Sequence, residues 1–152
     1  MTRKLILFIS TGGFSGYSPI GAGTAGSLLA VLLFWGINEY LIHNLFFNLG
    51  IGFILLILGL WTIPYACAIF NQSDPGKIVI DEQVAVWFIL TGLPFNIFNL
   101  VTGFLLFRVL DIWKPYPIRR MEKFPAPLGV MMDDLGAGVY VLVLCWLGEL
   151  FF

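Results

Sequence analysis

Residues 83–107 form an uncharged stretch, QVAVWFILTGLPFNIFNLVTGFLLF, that decides how the rest of the chain is arranged. The stretch is long enough to contain a membrane span of about 20 residues. Pro94, Asn96 and Asn99 interrupt it near the middle, and proline ends or kinks a helix because it lacks a backbone donor. We therefore expect two helices joined by a break at Pro94, with the second helix ending near Trp113.

The composition of the whole chain places this stretch in a membrane. Of the 152 residues, 59% are hydrophobic and 11% are charged, whereas soluble domains carry about 25% charge. The mean hydropathy is +0.94. So much apolar surface excludes a soluble enzyme, a nucleic-acid-binding protein and a disordered chain. The length permits a single domain, residues 1–152, and the net charge of −1 gives no long-range attraction to nucleic acid.

Two further charge-free stretches, residues 5–38 and 40–73, precede the central one and predict two more membrane helices. The first stretch opens with a glycine-rich segment that is too flexible to be helical throughout, so its helix is expected over about residues 24–40. The second helix would be capped at its start by Asn44 or Asn48. Each charge-free stretch is long enough to contain a span of about 20 residues.

The distribution of Lys and Arg predicts how the helices cross the membrane. The basic amino terminus lies in the cytoplasm, and two crossings return the chain there at Lys77. A single crossing at 83–107 would place the five basic residues of segment 108–123 outside, against the positive-inside rule. A re-entrant helical hairpin around Pro94 keeps them inside. With a last helix over about 130–150, the fold class is all-α: an integral membrane helical bundle of three full spans plus this hairpin.

Five of the nine acidic residues fall where the hairpin would bring them to one face of the membrane: Asp81, Glu82, Asp111, Asp133 and Asp134. Carboxylates beside hydrocarbon are costly unless they are paired or bind a metal, so a functional site is expected here. Oxygen ligands favour a hard ion such as Mg²⁺, which also pairs well with phosphate. The alternative interpretation is that the acids form ion pairs with Arg108, Lys114 and Arg119 at a solvated rim.

The remaining candidates carry weaker signals. A glycine-rich helix entrance could present backbone amides and the hydroxyls of Thr24 and Ser27 to an anion, although small residues at a helix entrance also serve packing. His43 has no second histidine with which to build a zinc site and is interpreted as an interfacial residue. Cys67 and Cys145 lie in apolar runs, where a thiol is a packing residue.

Four short segments stand in order along the chain: GTAGSL at 23–28, IDE at 80–82, FRVLDIWKPYPI at 107–118, and GVMMDD at 129–134 followed by Ala137-Gly138. Together they resemble the phosphatidylglycerophosphatase A family over about residues 18–140. The chain departs from the family pattern at Ala22, where a proline is usual, and at Pro125-Ala126-Pro127-Leu128, which replaces a glycine-rich segment. Every acidic position of the motifs is filled.

The resemblance implies a Mg²⁺-dependent phosphatase of the bacterial inner membrane that converts phosphatidylglycerophosphate to phosphatidylglycerol, with its active site on the cytoplasmic side. The resemblance and the residue chemistry together assign roles to four sets of residues. The metal ligands or general bases are Asp81, Glu82, Asp133 and Asp134, and a fifth catalytic acid is Asp111. The phosphate is bound by Arg108, Lys114, Thr24 and Ser27. A solvated patch that faces anionic headgroups is formed by Arg119, Arg120 and Lys123.

A small ion or proton transporter, or a channel subunit, is the competing interpretation, because buried acids in membrane proteins also relay protons and bind ions. It predicts acids in the middle of spans. Only Glu39 and Glu149 lie away from the clustered charges within apolar segments, and both are near predicted helix ends. A non-catalytic assembly factor is a third interpretation, which the complete acidic set disfavours.

Overall fold

The computed structural model describes the backbone of residues 2–151 and, except at Glu149 and Phe151, the surroundings of the side chains. This part of the chain forms seven α-helices and one 3₁₀ turn and contains no strand, so the all-α expectation is confirmed for it. The helices are α1 (Arg3–Ser10), α2 (Ala22–Tyr40), α3 (Leu45–Phe70), α4 (Ile80–Thr91), α5 (Ile97–Trp113), α6 (Ile118–Met121) and α7 (Leu128–Phe151), and the 3₁₀ turn is Ser15–Tyr17.

Local chemistry fixes several of these helix ends. The side chain of Asn44 caps α3 by accepting a hydrogen bond from the backbone amide three residues on, at 3.1 Å, and Asn96 caps α5 in the same way at 2.8 Å. Helix α5 ends at Trp113 because Lys114 adopts the left-handed conformation, with φ of 46°, and Pro115 cannot continue a helix. Of the two caps proposed for α3, Asn44 is the one used.

The predicted helix–break–helix around Pro94 is confirmed as α4 and α5. The two helices pack closely at Gly103, where an added Cβ would lie 3.3 Å from a methyl carbon of Ile89. The chain therefore doubles back and returns the end of α5 to the level at which α4 begins. Helix α4 is the central element, since it packs against α2, α3, α5 and α7.

Two described helices, α3 and residues 128–148 of α7, are long and apolar enough to cross a membrane. Large apolar side chains of α3, among them Phe53, Ile57 and Trp61, are exposed, as expected of a surface that faces lipid. Together with the composition, these helices indicate a membrane protein. Helix α2 is not one of the two candidate spans, so the count of three full spans stays a prediction.

Buried polar side chains join the helices at the end of the bundle where α2 turns into α3. Asn48 donates a hydrogen bond to Asn38 at 2.7 Å, and the indole of Trp87 in α4 donates to the Asn48 carbonyl oxygen at 3.0 Å. These bonds satisfy groups that would be costly to bury alone. They hold α4 in place against α2 and α3, and thereby fix the position of its first turn at the opposite end.

Candidate active site

Three acidic side chains from two helices meet at one end of the bundle. Asp81 and Glu82 lie in the first turn of α4, and Asp134 lies in the second turn of α7. One carboxylate oxygen from each lies within 4.8 Å of the other two, and we call these three residues the acidic triad. The side chains are shielded from solvent, since Asp81 is 7% exposed and Asp134 is 3% exposed.

The triad has the donor chemistry of a site for a hard cation. Among the described residues, Asp81 Oδ1 and Glu82 Oε2 are buried and have no hydrogen-bond partner, and the same holds for Oδ1 of the adjacent Asp133. A buried carboxylate oxygen without a partner is costly. Mg²⁺ prefers oxygen ligands of this kind and binds through a few carboxylates. The residues present therefore fit a divalent cation.

Burial perturbs the two acids at the start of α4. It raises the pKa of Asp81 well above the usual range for an aspartate, and the neighbouring charge of Glu82 raises it further. Burial likewise raises the pKa of Glu82, and the charges of Asp134 and Asp111 add to the effect. A divalent cation held between these carboxylates would oppose this rise in pKa, because its charge favours their ionised form.

Arg108 joins the end of α5 to the triad. Its Nη1 lies 2.7 Å from Asp111 Oδ2 and 3.8 Å from Glu82 Oε1. Asp111 is one helical turn beyond Arg108, so both side chains lie on one face of α5. The Nε of Arg108 is buried and has no partner in the described part of the chain. The start of α4 and the end of α5 therefore lie together, as the helix–break–helix interpretation expects, and one buried donor of Arg108 is left without a protein partner among the described residues.

Lys114 joins the connection after α5 to the start of α7. Its Nζ contacts Asp133 Oδ2 at 2.5 Å and Glu122 Oε1 at 2.7 Å. Burial lowers the pKa of Lys114, but the hydrogen bonds to Asp133 and Glu122 outweigh burial and raise it above the usual range. Asp133, one of the four predicted metal ligands, thus lies beside the triad with one oxygen bound to Lys114 and the other unpartnered.

Helix α2 approaches the site through Gly23. A Cβ at this position would collide with Glu82 Oε1 and would lie 3.1 Å from Arg108 Nη1. Ser27 follows one turn later on the same face of α2 and is fully buried, with its hydroxyl unpartnered among the described residues. Thr24, the other predicted hydroxyl donor, is exposed. Gly23 therefore lies against the site, and Ser27 is buried one turn further along α2.

Two residues of this region were not anticipated from the sequence. Glu122 shares Lys114 with Asp133, although nothing in its local sequence distinguishes it from other surface acids. Gln83 is buried beside Glu82, and its amide donates to the carbonyl oxygens of Gly12 at 3.4 Å and Gly26 at 3.3 Å. The sequence carried no signal for Gln83, because the two carbonyl groups that it contacts lie 71 and 57 residues away along the chain.

The residues interpreted as bystanders lie apart from the triad. His43 packs against Phe95, with ring centroids 5.1 Å apart, at the end of the bundle where α2 meets α3. The Cys67 thiol is buried in α3 and contacts the Ser73 carbonyl oxygen at 3.2 Å. Arg119 is exposed and has no carboxylate partner among the described residues. Of the three cations in the rim interpretation, only Arg108 and Lys114 thus pair with acids.

Three known bacterial proteins are similar to this chain over most of its length. A protein of Bacteroides thetaiotaomicron called a putative phosphatidylinositol-3-phosphatase is 37% identical over 92% of this chain and 91% of its own length. The phosphatidylglycerophosphatase A of Escherichia coli K12 is 38% identical over 86% of this chain and 76% of its own. The phosphatidylglycerophosphatase A of Haemophilus influenzae is 32% identical over 78% of this chain and 71% of its own.

No solved structure matches the chain. The family model described as Phosphatidylglycerophosphatase A matches residues 8–149, a range that contains the acidic triad, Arg108 and Lys114. Its match covers nearly the whole chain and agrees with the relatives in Escherichia coli and Haemophilus influenzae. The chain therefore belongs to the phosphatidylglycerophosphatase A family.

Proposed function

We propose that this enzyme hydrolyses phosphatidylglycerophosphate to phosphatidylglycerol and phosphate in a Mg²⁺-dependent reaction. The family and two relatives that carry the name phosphatidylglycerophosphatase A support the reaction and the substrate. The observation that carries the proposal is the acidic triad, whose three carboxylate oxygens lie within 4.8 Å of one another directly beside an arginine. A phosphatase needs positive charge for the phosphate and an activated water, and a carboxylate-bound metal supplies both.

Asp81, Glu82 and Asp134 would hold the metal. Asp133 is not one of the acids whose oxygens lie within 4.8 Å of one another, and its unpartnered Oδ1 would serve beside them as a further ligand or as a general base. Mg²⁺ bound there would polarise the phosphoryl oxygens and lower the pKa of a water molecule. The five acids around the site, with Asp111 included, exceed the two cations Arg108 and Lys114. Without a metal, this excess of negative charge would repel a phosphate dianion.

The protein's own cations orient the substrate. Arg108 is fixed by Asp111 and Glu82, and its unpartnered Nε can donate to a phosphoryl oxygen without losing either pairing. Lys114 stands on the other side, held by Asp133 and Glu122. The buried Ser27 hydroxyl is a further donor below Gly23. Fixed donors of this kind bind the phosphate and stabilise charge on its oxygens during the reaction.

The proposal includes a location: the bacterial inner membrane, with several crossings and with the site on the cytoplasmic side. Three connections that border the site contain Lys77, Arg119 or Pro127, and the basic residues among them favour the cytoplasm. The hairpin of α4 and α5 then enters the membrane and returns. Leu93 and Phe95, on either side of Pro94, pack into the apolar core, whereas Pro94 itself is exposed. The Pro94 carbonyl oxygen accepts a hydrogen bond from the Asn99 side chain at 3.0 Å, so this backbone group at the break is satisfied within the hairpin, as a membrane requires.

The position of the acids favours a phosphatase over a transporter or channel subunit. Among the described residues, the clustered acids lie in the first turn of α4, the last turn of α5 and the second turn of α7. Glu39 is exposed at the end of α2, and the side chain of Glu149 lies outside the described surroundings. An ion path would need acids along the middle of the spans.

The deciding experiment measures phosphate release from phosphatidylglycerophosphate by the purified protein in detergent micelles, with Mg²⁺ and with a chelator. We expect release with Mg²⁺ and none with the chelator. A parallel assay with phosphatidylinositol 3-phosphate tests the activity that names the relative in Bacteroides thetaiotaomicron. Preferential hydrolysis of that lipid would replace the proposed substrate, and undiminished release in the chelator would contradict the metal requirement.

A further inference from the structure

A groove of about 530 Å³ opens beside the acidic site, where α5 ends and α6 begins. Its walls combine two aromatic side chains, one proline and four basic side chains: Trp113, Tyr116, Pro115, Lys114, Arg119, Arg120 and Lys123. The Tyr116 carbonyl oxygen accepts a hydrogen bond from the Tyr140 hydroxyl of α7 at 3.0 Å. This bond joins the wall of the groove to the helix that carries Asp134.

The groove has an excess of positive charge that the protein itself does not neutralise. Lys114 is paired with acids, and Arg120 lies over the Tyr116 ring at 4.9 Å from its centroid. Arg119 and Lys123 have no carboxylate within 4.0 Å in the described part of the chain. The neighbouring acidic site has the opposite excess. When the triad holds no metal, an anion is therefore attracted to the groove and repelled from the triad.

The surroundings of the groove place it at the level of lipid headgroups. Ile112 and Trp113, at the end of α5, are 74% and 73% exposed, and Val109 one turn earlier is also exposed. Exposed apolar side chains on this face lie against hydrocarbon, whereas tryptophan and tyrosine beside basic residues are typical of the interface. Basic pockets at this level bind anionic headgroups. The occupant expected here is therefore part of a lipid.

Lys114 connects the groove to the acidic site, because it lines the groove and its Nζ contacts Asp133. The substrate of the proposed function carries two phosphates joined by a glycerol unit: a terminal monoester, which is hydrolysed, and a phosphodiester, which remains in the product. With the monoester at the triad, the phosphodiester lies one glycerol unit away, and Lys114, which borders both the acidic site and the groove, marks the direction in which the groove can receive it.

We propose that this groove binds the phosphodiester of the lipid substrate through Arg119 and Lys123, an inference that rests on the proposed function. The groove then distinguishes a headgroup with two phosphates from a lipid whose single phosphate is attached directly to diacylglycerol. Because the phosphodiester does not react, these contacts are equally strong in the ground state and the transition state. Removing them raises KM and leaves kcat nearly unchanged.

The test is the double variant Arg119→Ala/Lys123→Ala, assayed in micelles of constant composition with phosphatidylglycerophosphate and with phosphatidic acid. We expect KM for phosphatidylglycerophosphate to rise about tenfold, the effect of losing two partly solvated ionic contacts, with kcat within about twofold. The kinetics with phosphatidic acid, which has no phosphodiester, should not change. The variant Arg119→Lys/Lys123→Arg keeps both charges and should retain a low KM.

A matched control removes two exposed cations elsewhere, in Arg3→Ala/Lys4→Ala. An equal rise in KM in this control would show that general surface charge attracts the substrate, and would overturn the proposal. A binding measurement in a chelator gives a second readout that needs no catalysis. Phosphatidylglycerol, which keeps only the phosphodiester, should bind about tenfold more weakly to the Arg119→Ala/Lys123→Ala variant than to the wild type, whereas binding of diacylglycerol should be equal.

Equal binding of phosphatidylglycerol to the variant and the wild type would overturn the assignment of the groove, even if the variant turned over poorly for another reason. The two proposals can fail separately. Wild-type protein that does not hydrolyse phosphatidylglycerophosphate contradicts the proposed function. Wild-type hydrolysis combined with an unchanged KM in the double variant contradicts this inference alone.

Discussion

At Asp81, Asp133 and Asp134, the negative charge can be removed while the shape of the side chain is kept. Asp81→Asn, Asp133→Asn and Asp134→Asn should each lower kcat by about 10²–10³, the usual effect of losing one electrostatic contact with the transition state. The reason is that an amide binds Mg²⁺ far more weakly than a carboxylate does. The measurement is phosphate release by variants that still insert into the membrane and purify as folded protein.

The matched control for these variants is Glu39→Gln, at the exposed end of α2. Glu39 makes no ion pair among the described residues and lies at the end of the bundle where α2 turns into α3, so its loss should leave kcat within about twofold. A Glu39→Gln variant as impaired as Asp81→Asn would show that the effect comes from general surface charge. Full activity in Asp81→Asn would remove that residue from the proposed metal site.

Gly23 offers a steric test of the same site. In Gly23→Ala, the added methyl group would press against Glu82 Oε1 and Arg108 Nη1 and displace both, and misplacement by about 1 Å can lower a rate by about 10². Gly36→Ala is the matched control in the same helix, because nothing lies within 4 Å of its added Cβ. The comparison is made by kcat/KM at equal folded content. Equal activity of the two variants would contradict the close approach of α2.

The cysteines are expected to be dispensable. Cys67→Ala combined with Cys145→Ala should keep kcat within about twofold, because neither thiol lies in the acidic site and a small apolar replacement fits a buried packing position. The assay is phosphate release by the double variant, with circular dichroism as a check on folding. A folded but inactive double variant would instead indicate nucleophilic catalysis by a thiolate.

At the level of single residues, the motifs predicted most of the side chains that meet in the candidate site, since Asp81, Glu82 and Asp134 converge and Arg108 pairs with Asp111. The rim interpretation expected Lys114 to pair with an acid, but the motifs did not indicate that its partners would be Asp133 and Glu122. That pairing depends on the left-handed conformation of Lys114 and on the short helix α6, which brings Glu122 back towards it. Such long-range placement has no local signal in the chain.

At the level of whole helices, prediction worked best where a polar residue or a proline marks a boundary. The cap at Asn44 and the end of α5 at Trp113 are examples. Helices α1 and α6, by contrast, were not predicted. Helix α6 is a single turn of four residues inside the charged segment 108–123, and α1 has only eight residues. Helices this short do not fill the window of about 11 residues over which the 3.6-residue pattern can be recognised.

The arrangement of these helices across the membrane can be tested with single cysteines in the variant that lacks both native ones. Cysteines at positions 77, 119 and 127 should resist an impermeant maleimide in intact cells and react after permeabilisation, because the positive-inside rule places all three loops in the cytoplasm. A cysteine at Leu41, which is 75% exposed in the turn between α2 and α3, should react in intact cells and serves as the positive control.

Labelling at position 119 of intact cells, without labelling at position 77, would contradict the re-entrant hairpin. It would mean that residues 83–107 cross the membrane once. The acids at the start of α4 would then lie on the opposite side from those at the end of α5. Since Arg108 lies 3.8 Å from Glu82 and 2.7 Å from Asp111, that result would also be incompatible with the observed packing of α4 and α5.

Across the described residues, the clustered charges and a network of neutral hydrogen bonds occupy opposite ends of the bundle. The acidic triad, Arg108 and Lys114 lie at the end proposed to face the cytoplasm, whereas Asn38, Asn48 and Trp87 form neutral hydrogen bonds at the other end. Apolar packing joins the two ends. A charged substrate can therefore reach the acids from the headgroup layer without entering hydrocarbon, where an unpaired charge is costly.

This arrangement also limits the chemistry of hydrolysis. The usual covalent nucleophiles need an activating base or a lowered pKa, but His43 packs against Phe95 away from the site and Cys67 is buried in α3. The buried Ser27 hydroxyl has no partner among the described residues, and hence no base. The acids remain, and a carboxylate whose lone pairs are engaged by a metal is a poor nucleophile.

We therefore predict that water attacks phosphorus directly and that no phosphoenzyme forms. One in-line displacement inverts the configuration at phosphorus, whereas two successive displacements restore it. The measurement uses a lipid thiophosphate made chiral at phosphorus with oxygen isotopes, hydrolysed in isotopically labelled water, followed by stereochemical analysis of the released thiophosphate. Inversion is the expected result. Net retention would contradict direct attack and would make one of Asp81, Asp111, Asp133 and Asp134 the covalent nucleophile, since these carboxylates would then be the available groups at the site.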